Sequence, residues 1–231
     1  MREINGDRHP GRNCPSHHLT SDPETCPENQ ARGMAQMTTE SDNLELLVTD
    51  LACGDEGRAE AAARQLAARG RAALPALEAL LASPDPDRRW WAVRALAEID
   101  DPWVPALLRA ALNDADPAVR ECAALALRLR PHPEAIPDLV RALSDSDRLL
   151  AHLAADALAA VGSPAVEHLI RVMEEGPAIA RTEAARALAK IADPRSIPTL
   201  FKTFDQESAL VEYWASEGLE RMGVGMAFFK P

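Results

Sequence analysis

The sequence predicts an all-α fold, a right-handed α-α superhelix (solenoid) of stacked helical hairpins, and three observations carry that prediction. First, one pattern recurs, with an aligned leucine at Leu66, Leu96, Leu127, Leu158, Leu188 and Leu219, each 30 or 31 residues after the one before. So regular a period marks a solenoid, because a single hairpin cannot bury its apolar face alone and neighbours must stack. Second, hydrophobic residues make up 47% of the chain but aromatics only 4%. The core must therefore be built from Ala, Leu and Val, and Ala and Leu are the strongest apolar helix formers. Third, the patterned stretches are parted by short breaks rich in Asp, Pro and Gly, such as "IDDPWVPALL" and "VGSPAVEHLI", which is the punctuation of helix, turn, helix.

The chain divides into three parts. Residues 1–40 are polar, contain proline and lack an apolar period, so they are expected to be a disordered leader that cannot offset the entropy of ordering. The leader contains His9, Cys14, His17, His18 and Cys26. These include the ligand types of a zinc site, but they lack a paired Cys-x-x-Cys or His-x-x-x-His spacing, so no metal site is expected. The favoured reading of the leader is that the natural start is Met34 or Met37, because "TTESDNLELL" offers capping Thr, Ser and Asp immediately afterwards. Residues 41–225 form the solenoid of about six units. Residues 226–231 are an apolar tail in which Phe228 and Phe229 are expected to cover the last open hairpin.

Within each unit the first helix carries small residues just before its aligned leucine: Ala92 and Ala95, Ala154 and Ala157, Ala184 and Ala187. Small side chains let neighbouring helices approach closely. In the second helix apolar residues fall at helical spacing, as in Ile136, Leu139, Val140 and Leu143. Pro105, Pro137 and Pro198 are expected at the start of these helices, where a missing N–H costs nothing. Units are joined by acidic turns, "NDADPAVR" and "SDSDRLLA", whose aspartates are expected to cap the next helix.

At this level the chain resembles the HEAT and HEAT-like repeats, particularly the short type of the phycobilisome lyases. The residues that carry the resemblance are "DPAVRECAALAL" (Asp116 to Leu127) and "RTEAARALAKIADPRSIPTL" (Arg181 to Leu200), and it covers residues 50–225. The family implies the fold but serves enzymes, scaffolds and adaptors alike. Resemblance to deoxyhypusine hydroxylase, a di-iron HEAT-like protein, would place His-Glu pairs near the start of particular first helices. The aligned pairs here are Trp90-Trp91, Glu121-Cys122, His152-Leu153, Thr182-Glu183 and Tyr213-Trp214. None is complete, so no di-iron site is expected. Resemblance to the HEAT-like DNA glycosylases would need a basic groove with aromatics. Trp90, Trp91 and Trp103 offer the aromatics, but the charge balance opposes that reading. The phycobilin lyases imply an alternative, a subunit that cradles a tetrapyrrole for a partner.

The charge balance excludes other classes. A net charge of −11 and a pI near 5.0 oppose nucleic-acid binding, which needs a positive field to displace counterions. No apolar run is long enough to span a membrane, and no secretory signal opens the chain, so a bacterial cytosol is the expected location. The 4 cysteines lie at scattered positions that give no disulfide framework, and Cys122 shares a face with Ala126, as a buried small hydrophobe would. His152 and His168 are read as isolated helical imidazoles. Glu174 and Glu175 beside Gly176 are read as a solvated turn. No phosphate loop or nucleophile elbow is present. No catalytic residue, metal or cofactor is assigned.

One feature goes beyond the core pattern. Five residues after the Ile or Val that opens the second helix stand Arg109, Arg141, Arg171 and Lys202, following Val104, Ile136, Val166 and Ile197. Five residues turn the helix by about 500°, so each cation lies about 140° from the core residue and faces solvent. Second helices are expected to line the concave face, which would make the cations a ladder. The first unit has Ala79 there. These four residues are the expected partner-binding residues, and an acidic segment of another protein is the expected partner.

Overall fold

The structure, a computed structural model, describes residues 43–205 and 208–224. The expectations for the leader, with its His and Cys residues, and for Phe228 and Phe229 fall outside the described residues. The described chain is helical throughout. A helix over residues 43–51 (α1) precedes five hairpins whose first helices are α2 (Glu56–Ala68), α4 (Pro86–Leu96), α6 (Pro117–Leu129), α8 (Arg148–Val161) and α10 (Ala178–Ile191). Their second helices are α3 (Leu74–Leu81), α5 (Val104–Ala111), α7 (Ile136–Ala142), α9 (Val166–Glu175) and α11 (Ile197–Lys202), and α12 (Ala209–Arg221) follows as a further first helix.

Each boundary has a local cause. The aspartates of the inter-unit turns cap the first helices as expected: Asp116 accepts from the backbone N–H groups of Ala118 and Val119, and Asp147 from those of Leu149 and Leu150. Asp55 and Asp85 do the same for α2 and α4, each cap contributing about 1 kcal/mol. Pro105, Pro137 and Pro198 sit in the first turns of α5, α7 and α11, where the lost donor is one the helix leaves unpaired anyway. Single 3₁₀ turns, such as Pro133–Ala135 and Pro194–Ser196, deliver the chain into second helices.

Arginines at the starts of several first helices fasten them to the inter-unit turns, Arg89 holding both the turn behind, at the Ser83 and Pro84 carbonyls, and the turn ahead, at Asp114. Arg89 donates through Nε and Nη2 to both carboxylate oxygens of Asp114, each at 2.8 Å. Arg120 donates to the carbonyls of Asp114 and Ala115, and Arg181 to that of Gly176. These bonds satisfy carbonyls that a helix end leaves without partners.

Packing follows the small-residue columns. First helices contact one another in succession from α2 to α12, and each second helix also packs on the first helix that follows it. The aligned leucines and the alanines named above are buried, and one continuous apolar cluster runs from Leu47 to Leu219. Ile136, Leu139 and Leu143 are buried, while Val140 packs partly buried against the core. Among the described residues no single helix is long and apolar enough to cross a membrane.

Candidate functional site

The expected cations occupy one register. Arg109, Arg141, Arg171 and Lys202 are each the sixth residue of their helix, in α5, α7, α9 and α11. Their surroundings differ. Arg109 donates through Nε to Asp138 Oδ2 at 2.7 Å and lies 3.6 Å from Glu134. Arg141 donates to the other oxygen of Asp138 at 2.6 Å and to Asn113 Oδ1 at 2.8 Å. One largely buried carboxylate thus binds two guanidiniums and bridges α5 to α7. Lys202 is 71% exposed and lies 3.6 Å from Glu174. Arg171 is exposed and has no ion-pair partner among the described residues. It lines a cavity of about 190 Å³ with Val140, His168, Val172 and Glu175, and His168 Nδ1 is buried there without a hydrogen-bond partner among the described residues. Asp138 thus neutralises part of the charge at one end of the row and Glu174 part of it at the other, which leaves Arg171 the least paired of the four among the described residues. Ala79 takes the equivalent place in α3 and is exposed.

The first helices carry a charge cluster that sequence reading did not assemble. Arg186 on α10 is 5% exposed. Its guanidinium donates to Asp156 on α8, to Glu183 Oε2 at 2.8 Å and to the His152 carbonyl at 2.7 Å. Lys190 Nζ also reaches Asp156 at 2.7 Å, and Arg128 lies 3.6 Å from it on α6. Burial raises the Asp156 pKa, but the hydrogen bonds from Lys190 and Arg186 outweigh it and hold the carboxyl below its ordinary range. His152, read as an isolated imidazole, places Nδ1 3.5 Å from Glu183 Oε2. A similar bridge forms earlier in the array, where Arg94 donates to Glu60 and Glu98, each at 2.7 Å. The signal was in the aligned repeats, since Asp156 and Arg186 occupy the same position in successive units.

Cys122 is buried, and burial pushes its thiol up to about 12, which makes it the inert small hydrophobe expected from its face. Trp90 and Trp91 stack edge to face at 4.9 Å, whereas Trp103 is exposed in the turn before α5 and makes no ring contact with them. The Trp pair borders a cavity of about 330 Å³ with Glu56, Asp85, Asp87 and Arg88. Glu174 lies against Lys202, so the paired glutamates are not wholly solvated. Among the described residues, no group of three or more His, Cys, Asp or Glu side chains could hold a metal ion.

A second periodic feature lies at the helix starts. The second residue of α8, α10 and α12 is Leu149, Ile179 and Leu210, exposed by 52%, 45% and 52%. In each case the next residue, Leu150, Ala180 or Val211, is buried. The outward direction is therefore set by helical register and not by fraying.

Comparison with known proteins agrees with this architecture. The family described as HEAT repeats matches residues 44–113 and 104–189, and that described as PBS lyase HEAT-like repeat matches residues 180–200. No curated protein matches. Among solved structures, the complex of CpcE and CpcF of phycocyanin lyase from Nostoc is similar with a TM-score of 0.52 and 20% identity, over 64% of this chain and 98% of that one. YIBA of Escherichia coli is similar with a TM-score of 0.51 and 20% identity, over 77% of this chain and 70% of that one. Likeness at such identity speaks to the fold alone. The HEAT match, by contrast, spans well over half of the sequence, and the protein belongs to the HEAT repeat family.

Proposed function

We propose that this chain is a cytosolic, non-catalytic protein-binding scaffold that receives an acidic segment of a partner along its second helices, through Arg109, Arg141, Arg171 and Lys202. The observation that supports this most is the shared register of the four cations on successive second helices, with Arg171 exposed and free of ion pairs among the described residues. An acidic segment would pair first with Arg171 and Lys202. Binding at Arg109 and Arg141 would have to compete with Asp138, so those two contribute less. The test is affinity capture from native lysate with the full chain and with a variant carrying R109E, R141E, R171E and K202E, followed by direct binding of the recovered protein. A partner bound by the first and lost by a variant that circular dichroism shows still folded, though destabilised where Asp138 loses both guanidiniums, is the expected result. Equal binding to both would remove the ladder from the function.

A second reading, a chromophore-handling subunit of the phycobilin-lyase kind, is favoured by the match of residues 180–200 to the lyase-type repeat. A bilin whose absorption shifts on addition of the protein would support it, and an unchanged spectrum would count against it.

A further inference from the structure

The fold does not need the large apolar residues at the starts of α8, α10 and α12. The equivalent position is Ala118 in α6 and Asp87 in α4, both exposed, and those helices pack as well as the others. Yet Leu149, Ile179 and Leu210 follow one another in three successive units, and exposed Tyr213 extends the patch along α12. Large apolar side chains repeated at a solvent-facing position mark an interaction surface.

The turns behind these residues are acidic. Asp145, Asp147 and Glu175 there, and Glu212 in the first turn of α12, make no ion pair among the described residues. Burial chiefly raises the pKa of Glu121 at this edge, and the neighbouring carboxylates of Asp147 and Asp116 push it the same way against the opposing pull of Arg120. The cations nearby are Arg120 and Arg181, each donating to a backbone carbonyl, the exposed Arg148, and Arg171, which lines one cavity with Glu175.

Spacing selects the partner's conformation. Successive first helices touch, so the three apolar side chains stand about 8–10 Å apart. Residues seven apart on a helix are separated by about 10.5 Å. Same-face residues of a strand recur about every 6.8 Å and would fall out of step.

We propose that this edge docks a basic amphipathic helix of a partner protein, with apolar side chains about seven residues apart seated on Leu149, Ile179 and Leu210 and with lysines or arginines facing Glu121, Asp145, Asp147 and Glu175. The proposal rests on the scaffold reading only in requiring that the chain bind protein. It concerns the exposed starts of the first helices, which meet the cation row only where Glu175 and Arg171 line one cavity, and a partner segment of opposite charge.

The probe is a labelled Lys/Leu peptide of about 18 residues with leucines at that spacing, titrated into the full chain by fluorescence anisotropy at two salt concentrations. A control peptide has the same composition with the leucines out of register. Binding of the first peptide is expected to weaken roughly tenfold or more in a variant carrying L149S, I179S and L210S. In a variant carrying E121Q, E175Q and E212Q, its salt dependence is expected to fall. Thermal melts verify that both variants stay folded, which their exposed or edge positions favour. Equal binding of the out-of-register peptide, or unchanged binding by the serine variant, would overturn the proposal. So would self-association of the chain abolished by the serine substitutions, since the occupant would then be a second copy. The variant with the four second-helix cations reversed should bind the basic peptide at least as tightly as the parent. Loss of the acidic-partner assay would therefore refute the cation ladder and leave this edge standing, and the converse holds.

Discussion

Replacing Arg186 by Met tests whether the charge cluster between α8 and α10 holds these two units together. The guanidinium is 5% exposed and has three acceptors, Asp156, Glu183 and the His152 carbonyl. Removing one member of a buried ion pair costs about 3–5 kcal/mol, because the partner charge stays buried and unpaired. Here the loss is smaller. Asp156 keeps Lys190 at 2.7 Å and Arg128 at 3.6 Å. A cost of about 2–3 kcal/mol at neutral pH follows, which lowers the melting temperature by about 5–10 °C in an array of this size. The assay is urea and thermal denaturation of R186M, D156N and the double variant. The coupling energy between the two sites should exceed about 1 kcal/mol, and the cost of R186M should shrink toward acid pH as the stranded carboxylates take up protons. R186M within about 0.5 kcal/mol of the parent, with no coupling, would show that solvent replaces these contacts and would refute the reasoning.

Three further outcomes are expected. Asp114, lowered chiefly by the hydrogen bond from Arg89, and Asp156 both titrate below the ordinary aspartate range. The stability they supply is therefore present above that range and lost as the pH falls through their depressed values, and melts across acid pH should show a shallower loss in D114N than in the parent. Ala192 ends α10 in the left-handed conformation at φ 53°, which glycine adopts without the steric cost a Cβ imposes, so A192G should stabilise the protein by about 1 kcal/mol in urea titrations, and a destabilised variant would contradict this account. In alkylation at mildly alkaline pH followed by mass spectrometry, exposed Cys53 should react while Cys122, raised to about 12 by burial, should not. Equal rates at the two cysteines would mean that α6 opens readily.

Much of the array was legible in the chain itself. A period of 30 or 31 residues fixes which residues must share a core, and the aspartates and prolines at its seams act on the two or three residues beside them. The positions of Leu127 and Leu158, the caps at Asp116 and Asp147, and the starts at Pro137 and Pro198 all follow from local chemistry. The outward direction of Arg141 and Lys202 follows in the same way, because register along a single helix settles it.

Tertiary structure decided which groups meet across units. His152 and Glu183 lie 31 residues apart and Asp156 and Arg186 lie 30 apart, and nothing in either helix alone says that these side chains converge. The stacking of α8 on α10 does so, by bringing the same turn of successive first helices side by side. The same stacking makes Asp138 serve both Arg109 and Arg141, so that four cations equal in sequence become unequal in how far their charge is paired. It also turns Leu149, Ile179 and Leu210, each unremarkable in its own helix, into one apolar edge. The sequence by itself determined the repeat, its helices and the face each residue takes, because those depend on neighbours along the chain. The pairing of charges and the alignment of exposed residues were decided only by the tertiary structure, because they depend on the distance between helices, which packing sets.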